Sequence, residues 1–321
     1  MSKFDDQYID LCRRILAHGE KITNYKKTDE RGQAAASAIP DHLAQGQQAT
    51  ETIRLPHQVL QFDLEAEFPI LTSKKVAFKT STLEMLWIYQ QASNDVRWLQ
   101  DRGIKIWNEW EIAADGTYMG RNINEIFATT HPEEPKTDFA HTIGTAYGWI
   151  VKRYDLLNNL IETLRKNPGN RRMIMSLWQN EWLPTAALPS CVWNSQWNLI
   201  DGHLNLLVTS RSTDVPLGLP FNISQYAVLC YLVAQIIGAK PGQFTLITND
   251  AHIYKNQIDG IKEHIARYDE AVKSGTLPPA PKLWVNPDVK NFADFDSSKD
   301  LKDIKLENYE NLGPIKFPIT E

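Results

Sequence analysis

A cysteine and an arginine lie on either side of a predicted hairpin turn, and together these residue types can form a nucleophile. Cys191 precedes and Arg211 follows the dipeptide Asp201-Gly202, which is the strongest short signal for a two-residue turn between strands. A guanidinium beside a thiol favours the thiolate, which is the form that attacks carbon. Taken alone, a single cysteine is more often a small packed hydrophobe. Cys191 is therefore a candidate nucleophile whose support must come from the surrounding chain.

The register of this hairpin sets how closely the thiol and the guanidinium approach each other. Pairing outward from the turn puts Trp197 opposite Leu206, so that apolar meets apolar. The same register puts Cys191 opposite Ser212, and strict alternation then points Arg211 to the other face of the sheet. Either a β-bulge re-aims one of these side chains or the strands part before this level.

A long apolar helix is predicted after the hairpin. Asn222 followed three residues later by Gln225 is a capping-box-like pattern, so one explanation of Asn222 is a helix N-cap and nothing more. The run 223–237 is apolar almost all round and Gly238 fits its end, which predicts a buried central helix. A carboxamide at the mouth of this helix both donates and accepts hydrogen bonds, which suits a pyrimidine edge with an N–H and a carbonyl.

Several other polar and aromatic residues have both a structural and a chemical explanation. Glu84 lies close to the apolar face of a predicted helix, where periodicity alone favours a surface carboxylate. Trp107 and Trp110 are typical of a core, and they could alternatively present an indole wall to a flat ligand. Arg171 and Arg172 at a strand entrance are normally solvated, and less often bind an anion.

The rest of the chain predicts a mixture of helices and strands. Residues 4–18 have helical spacing, and 53–63 and 243–248 read as strands. Residues 20–52 are polar with weak periodicity, which predicts a long loop.

One domain covering residues 1–321 is expected, because the chain shows no internal repeat and no clear linker. Residues 111–140 are polar and proline-containing, and they predict a small insertion. Gly144 and Gly148 bracket Tyr147, which predicts a close approach of backbone segments there.

The composition excludes some classes of partner and compartment. A net charge of −5 does not support bulk attraction to nucleic acid or acidic membranes. Three cysteines are too few for a disulfide framework, and none has metal-ligand spacing. The first residues are acidic where a signal peptide would be basic, and the longest apolar run, 226–239, is too short to span a bilayer. We expect a cytoplasmic protein with no DNA or membrane partner.

Taken together, the motifs of this chain resemble those of the thymidylate synthase family. They follow the family order over roughly residues 60–290, and jointly they are far more specific than any one alone. The matching segments are Phe68-Pro69-Ile70-Leu71-Thr72-x-Lys74-Lys75, Glu84-x-Leu86-Trp87, Ile106-Trp107-x-x-Trp110, Tyr147-Gly148, Arg171-Arg172, Leu188-Pro189-x-Cys191, Arg211-Ser212-x-Asp214, Leu217-Gly218-x-Pro220-Phe221-Asn222 and His252-x-Tyr254.

The resemblance implies a fold and a reaction. The fold is α+β in layers, with a large mixed β-sheet packed against helices that include a long buried central one. The reaction is the methylation of dUMP to dTMP with 5,10-methylenetetrahydrofolate as cosubstrate for the one-carbon unit and the hydride, without a metal. In it, Cys191 adds to C6 of uracil, C5 attacks the folate methylene, and proton loss, elimination and hydride transfer give dTMP and dihydrofolate.

The resemblance also implies roles for individual side chains. The catalytic set is Cys191, Glu84, Arg211 and Tyr147. The groups that bind dUMP, with the last two on the 3′-hydroxyl, are Arg171, Arg172, Gln196, Arg211, Ser212, Asp214, Asn222, His252 and Tyr254. The groups that bind folate are Lys74, Trp107, Trp110, Asp214, Leu217 and Gly218.

Three of these implied roles define the chemistry most closely. Glu84 works with ordered water in the proton transfers. Asn222 reads the uracil ring. Arg171 and Arg172 come from the partner subunit of a homodimer and bind the 5′-phosphate through charge-assisted forks.

The chain departs from the commoner family pattern at three places. Val192 stands where a histidine usually follows the cysteine, as in a Bacillus-type branch, and no role is carried onto it. The N-terminal Arg-Thr-Gly loop has no clear match, although Lys26, Lys27 and Arg31 lie in the right region. The chain ends 319-Ile-Thr-Glu-321 instead of in a small apolar pair, so closure of the site is expected to differ in detail.

Two other functions compete with dUMP methylation. A pyrimidine hydroxymethylase of the same fold would quench the one-carbon adduct with water. Members acting on dCMP carry aspartate at the position of Asn222, so this asparagine favours uracil without excluding dUMP hydroxymethylation. A nucleotide- or RNA-binding relative without catalysis is disfavoured by the joint presence of Cys191, Glu84, Arg211 and Asn222.

Overall fold

A mixed β-sheet is the centre of the fold. The computed structural model describes residues 2–24 and 50–319. The strands are β1 Glu20–Asn24, β2 Thr50–Asp63, β3 Thr117–Tyr118, β4 Arg121–Asn122, β5 Ile174–Ser176, β6 Val192–Ile200, β7 His203–Ser210, β8 Thr213–Asp214, β9 Lys240–Tyr254, β10 Lys282–Val285 and β11 Ile304–Glu307. The main sheet has the order β1-β2-β9-β7-β6-β5, with β8 beside β9, while β3-β4 and β10-β11 form small ladders.

Helices cover one face of this sheet. They are α1 Lys3–His18, α2 Phe78–Tyr89, α3 Arg97–Gln100, α4 Ile123–Thr130, α5 Gly148–Arg153, α6 Leu156–Lys166, α7 Gly218–Ile237 and α8 Ile258–Ser274, with short 3₁₀ turns at Asn108–Trp110, Leu183–Thr185, Lys255–Gln257 and Phe292–Asp294. Strand β9 pairs antiparallel with β2 but parallel with β7 and β8, so the sheet is mixed. Pairing aligns Leu60, Leu246, Val208 and Met175 in one row, and all four are buried. The expected layered α+β architecture is confirmed.

Helix α7 begins earlier than its sequence pattern predicts. Leu217 is the N-cap, and Pro220 lies in the first turn, where its missing N–H breaks no hydrogen bond. Asn222 therefore lies inside the helix, and the explanation of Asn222 as its N-cap is wrong. Gly238 ends the helix with φ 74°, as expected. By length and apolar composition α7 alone among the described helices could cross a membrane, but 72% of its most apolar window is buried inside the protein.

Helix α2 packs against α7 and carries Glu84 into the interior. Buried hydroxyls join the two helices, because Ser224 Oγ donates to Ser81 Oγ at 3.0 Å and the hydroxyls of Tyr89 and Tyr226 lie 2.8 Å apart. These contacts fix the two helices side by side. The residues of the site on α2 and α7 are thus held by buried contacts on a rigid pair of helices.

The N-terminal segment follows the prediction only in part. Helix α1 confirms the helix predicted over 4–18, with an apolar face that is fully buried. Residues Glu20–Asn24 form strand β1 against β2, so the predicted loop is wrong there. The remainder of that prediction, residues 25–49, lies outside the described residues.

The hairpin of β6 and β7 contains a β-bulge. Its turn has φ 50° at Asp201 and 75° at Gly202, the left-handed pair that a type I′ turn requires. The register shifts between Val192 and Asn194, where Trp193 is the additional residue. The bulge confirms one of the two alternatives for this end of the hairpin.

Beyond the bulge, the pairing near the cysteine changes by one residue. Trp197 faces Leu206 as predicted. The Arg211 N–H donates to the Cys191 carbonyl at 2.9 Å, so Cys191 lies opposite Arg211 and the predicted partner, Ser212, is wrong. The extra residue brings the cysteine level with the arginine.

Close backbone contacts surround Tyr147, as its flanking glycines predict. A Cβ atom on Gly144 would lie 1.9 Å from the Thr185 carbonyl oxygen, and one on Gly148 would lie 1.9 Å from the Ser93 carbonyl oxygen. Both neighbours are backbone atoms, which cannot rotate away. The two glycines therefore allow the segment that carries Tyr147 to pack against its neighbours.

We expect Gly148→Ala to destabilise the protein strongly. The added methyl group would overlap the Ser93 carbonyl, and overpacking against backbone costs about 3 kcal/mol or more. Urea denaturation measures this loss. The control is Gly169→Ala, since Gly169 has open space around it and should change the free energy of unfolding by less than about 1 kcal/mol. Equal effects of the two substitutions would contradict the close approach.

Candidate functional site

The thiol of Cys191 lies beside a fixed cation at the end of β6. Arg211 Nη2 is 3.6 Å from Cys191 Sγ and donates to the Pro189 carbonyl at 2.9 Å. Its Nε donates to the Ser190 carbonyl at 3.2 Å. These bonds to the segment before the cysteine hold the guanidinium in place. The arrangement stabilises a negative charge on sulfur, and it brings Cys191 and Arg211 together, as the predicted hairpin suggested.

Tyr147 fixes the backbone of the cysteine. The Cys191 N–H donates to the Tyr147 hydroxyl at 3.0 Å, which leaves the hydroxyl proton to donate elsewhere. Burial raises the pKa of Tyr147 well above its ordinary value, so the phenol stays protonated. Its backbone, at φ 47° and ψ −107°, lies in a region that costs a non-glycine residue about 1–3 kcal/mol. The surrounding close contacts hold this conformation.

Glu84 is a buried carboxylate and not the surface residue that periodicity favours. Its Oε1 accepts a hydrogen bond from Trp107 Nε1 at 2.7 Å, and its Oε2 accepts one from Gln225 Nε2. Burial raises the pKa of Glu84 to about 7, and these two hydrogen bonds oppose that rise. The carboxyl is therefore suited to exchange protons near neutral pH.

Asn222 and Gln225 form a pair of amides on one face of α7. Asn222 Nδ2 donates to Gln225 Oε1 at 3.4 Å, and a Cβ on Gly218 would lie 4.0 Å from Asn222 Oδ1. The sequence pattern predicts no role for Gln225 beyond the capping-box-like motif. The signal that could have revealed it is a carboxamide in an otherwise apolar, buried helix, since such a group needs partners.

A polar row on β8 and β9 continues the site away from the thiol. His252 Nδ1 lies 3.1 Å from Asp250 Oδ1 and 3.4 Å from Ser212 Oγ. Arg54 Nη1 donates to Asp250 Oδ2 at 3.0 Å, so this carboxylate anchors both a histidine and an arginine. The ring of Tyr254 packs edge-on to His252 with centroids 5.1 Å apart. Asp250 and Arg54 are not predicted from the sequence, because their proximity depends on the β2-β9 pairing.

Asp214 joins the start of α7 to the 3₁₀ turn after β9. Its Oδ1 accepts from the Leu217 N–H and its Oδ2 accepts from Gln257 Nε2, each at 3.0 Å. Burial raises the pKa of Asp214. Asp214 thus fixes Leu217 and Gly218 at the mouth of the helix.

Lys74 is buried behind this corner. Its Nζ donates to the Pro216 carbonyl at 2.6 Å and lies 4.7 Å from the centroid of the Phe317 ring. Burial lowers the pKa of Lys74 to about 8. The ammonium therefore binds the segment that leads into α7.

Trp107, Trp110 and Tyr147 form a cluster of edge-to-face rings. The Trp107 centroid lies 5.4 Å from that of Trp110 and 5.3 Å from that of Tyr147. Trp107 is buried, whereas Trp110 is half-buried and offers part of its indole to a ligand. Trp107 therefore fits the core explanation, whereas the partial exposure of Trp110 is what an indole wall for a ligand requires.

Some of the predicted residues lie apart from this cluster in a single chain. Arg171 and Arg172 are exposed just before β5. Gln196 is exposed and pairs with Ile174, which is also exposed. Its role in binding dUMP remains a prediction. Lys26, Lys27 and Arg31 lie outside the described residues.

The three cysteines differ in environment. Cys12 and Cys230 are buried, which raises the pKa of each to about 12, whereas Cys191 is partly exposed. Within residues 2–24 and 50–319, no group of three His, Cys, Asp or Glu side chains could hold a metal ion. Cys191 is the thiol that a substrate can reach.

The accessible thiol of Cys191 lies beside the fixed guanidinium of Arg211, and Glu84 nearby has a pKa of about 7. This combination defines an enzyme that acts by nucleophilic, covalent catalysis. A family model described as thymidylate synthase matches residues 6–321. Thymidylate synthase from Clostridium beijerinckii is 41% identical over 320 residues, which cover 100% of both chains, and that from Bacillus licheniformis is 33% identical over 99% of each. The solved structure of thermostable thymidylate synthase A from Bacillus subtilis aligns with a TM-score of 0.76 at 31% identity, over 98% of this chain and 99% of that one.

The chain belongs to the thymidylate synthase family, and it is a methyltransferase. The expected fold and family are thus confirmed.

Replacement of Glu84 by leucine should remove a pH dependence of stability. Because burial raises the pKa of Glu84 from 4.5 to about 7, the folded protein holds this proton more tightly than the unfolded chain. The corresponding stability is fully present below the unfolded pKa and is lost as the pH rises through about 7, by roughly 3 kcal/mol in total. The free energy of unfolding of the variant, minus that of the wild type, should rise by this amount between acidic and mildly alkaline pH in urea titrations.

The control for this experiment is Glu270→Leu, because Glu270 is exposed on α8. Its difference from wild type should stay constant within about 0.5 kcal/mol over the same pH range. If the difference in free energy of unfolding between Glu84→Leu and wild type did not change with pH, the account of Glu84 as a buried carboxyl whose ionisation destabilises the fold would be contradicted.

Proposed function

We propose that the protein converts dUMP to dTMP, with Cys191 as the nucleophile. The observation that carries the proposal is the Arg211 guanidinium 3.6 Å from the sulfur of the partly exposed thiol. The thiolate adds to C6 of the uracil ring, and the electron pair moves toward C5 and O4, so that C5 becomes nucleophilic. Tyr147 holds the backbone of Cys191 during this addition.

Glu84 is the proposed group for proton exchange at the ring. Its pKa of about 7 means that both protonation states are populated at neutral pH. Trp107 and Gln225 occupy both of its oxygens with neutral donors, so the carboxylate has a fixed orientation. Glu84 acts through an ordered water between it and the pyrimidine.

The nucleotide is proposed to lie between the hairpin end and the start of α7. Asn222 reads the pyrimidine edge, while His252 and Tyr254 bind the deoxyribose 3′-hydroxyl. Arg211 uses Nε and Nη2 on backbone carbonyls, which leaves Nη1 to bind the 5′-phosphate together with Ser212. Since the backbone bonds pre-orient the guanidinium, phosphate binding costs little side-chain entropy.

5,10-Methylenetetrahydrofolate is the proposed cosubstrate, and it supplies the one-carbon unit and the hydride. The residues fit such a group, because the exposed part of Trp110 offers an indole surface for a flat ring. Asp214 offers a carboxylate to ring N–H donors, and Gly218 adds no side chain between Asp214 and Asn222, where a Cβ would lie 3.8 Å and 4.0 Å from their side-chain atoms. Trp107 and Leu217 complete the wall, with Lys74 behind it.

A homodimer is proposed to complete the phosphate site. Strand pairing places a set of side chains on the sheet face away from the helices, including Val59, Ile174 and Ile200, which are 53%, 50% and 58% exposed. Exposed apolar groups on one face of a sheet favour burial against a second copy of the chain. Arg171 and Arg172 lie three and two residues before Ile174, so they are close enough to this face to reach across to the partner.

The chain is further proposed to form a single catalytic domain, residues 1–321, with a small insertion at about 111–140. The three free cysteines suit a reducing compartment, which supports a cytoplasmic location.

Incubation with 5-fluoro-dUMP and methylenetetrahydrofolate should give a stable covalent complex on Cys191. Fluorine cannot leave C5 as a proton does, so the reaction stops once C5 has bonded to the folate methylene, with the sulfur still bonded to C6. Intact mass and peptide mapping should show one adduct per chain, on Cys191. The Cys191→Ser variant should show none, and an adduct on Cys12 or Cys230 would contradict the mechanism.

Mixed dimers test whether Arg171 and Arg172 act on the partner's site. We expect Cys191→Ser and the double variant Arg171→Ala, Arg172→Ala to be inactive alone. Refolding them together in equal amounts makes half of the dimers mixed, each with one intact site, so activity should recover to about a quarter of wild type.

The matched control pairs Cys191→Ser with Glu84→Gln. Both residues serve the site of their own subunit, so a mixed dimer has no intact site and activity should stay lost. Failure of the arginine pair to recover, or equal recovery in both mixtures, would contradict a shared phosphate site.

A further inference from the structure

Gln225 is a buried amide that connects two parts of the site. It is 5% exposed, and burying a carboxamide is unfavourable unless both its donor and its acceptor are satisfied. Its Nε2 donates to Glu84 Oε2, and its Oε1 accepts from Asn222 Nδ2 at 3.4 Å. Gln225 therefore links the proton-exchanging group to the amide that faces the nucleotide.

When Glu84 is ionised, the chemistry of the groups fixes the direction of every bond in this chain. The indole of Trp107 can only donate, and an ionised Glu84 can only accept. Gln225 must then turn its NH₂ toward Glu84 and its carbonyl toward Asn222. Asn222 in turn must present its NH₂ to Gln225, so the orientation of its amide is set by a carboxylate two hydrogen bonds away.

In the proposed nucleotide site, the remaining atoms of the Asn222 amide face the pyrimidine. Its Oδ1 lies on the side of Gly218, where an added Cβ would be 4.0 Å away, and the second N–H of its amide is available beside it. Uracil presents an N3–H donor and an O4 acceptor, whereas cytosine presents an N3 acceptor and a 4-amino donor. An amide that cannot flip matches only one of these two orders.

We propose that Gln225 is a positioning residue that fixes the flip of the Asn222 amide and thereby selects uracil over cytosine. This inference rests on the proposed function, since it concerns the pyrimidine of the same nucleotide site. Gln225 does not touch the base. In the observed orientation, the Asn222 NH₂ donates to the Gln225 carbonyl. If the Asn222 amide were flipped, this hydrogen bond would be lost and the carbonyl oxygens of Asn222 and Gln225 would face each other, which is unfavourable.

The test is the ratio of dissociation constants for dUMP and dCMP, measured by titration calorimetry without folate. Wild type should bind dUMP in preference to dCMP. Gln225→Leu removes both hydrogen bonds with little change in volume, and the preference should fall by about 10-fold or more, in line with the discrimination of a paired base contact. Gln225→Met, which is unbranched like glutamine, should lower the preference for dUMP by a similar factor. It provides a second variant in case Gln225→Leu does not fold.

The matched control is Gln235→Leu, the same substitution on the same helix. The Gln235 amide donates to the Asn286 and Val289 carbonyls, away from the site, so this variant can lose stability but should keep the wild-type ratio. If wild type binds dUMP selectively and both Gln225 variants keep its ratio, the inference is overturned and the proposed function stands. If wild type binds neither nucleotide, the proposed function fails, and the inference fails with it.

Discussion

The β-bulge at Trp193 is the constraint on which the geometry of the site depends. Without the extra residue, the hairpin would pair Cys191 with Ser212 and leave Arg211 on the other face of the sheet. With it, Arg211 pairs with Cys191 through the backbone and places its guanidinium 3.6 Å from the sulfur. The bonds from Arg211 to the carbonyls before the cysteine then make the pair rigid. One irregular residue thus converts an ordinary hairpin into the support for a nucleophile.

A second constraint comes from the polar groups enclosed between α2 and α7. Glu84 is stable in the interior because Trp107 and Gln225 satisfy its oxygens, yet burial still brings its pKa to about 7. The same burial that costs stability when the group ionises makes it useful for proton exchange at neutral pH. Because carboxylate and indole each allow one bond direction, the charge on Glu84 also orients the amides of Gln225 and Asn222.

The sequence allowed the local features to be predicted, and the resemblance of its motifs allowed the family to be predicted. The Asp201-Gly202 turn, the Trp197–Leu206 pairing and the end of α7 at Gly238 follow from short-range chemistry, and all three are confirmed. The position of the bulge does not follow, because no residue type near Trp193 demands it. The start of α7 does not follow from the capping pattern at Asn222, because the first turn of a helix accepts proline and α7 includes Pro220. The burial of Glu84 depends on how α2 packs on α7, which periodicity within α2 cannot reveal.

Release of tritium from C5 of labelled dUMP, measured together with dihydrofolate formation, tests the central claim most directly. Addition of Cys191 to C6 is what makes the C5 hydrogen leave, and transfer of the hydride is what produces dihydrofolate. The account predicts one tritium released for each dihydrofolate formed by the wild type, and neither product from Cys191→Ser. Tritium release without dihydrofolate would mean that water ends the reaction as in hydroxymethyl transfer, and release by Cys191→Ser would contradict the role of the thiol.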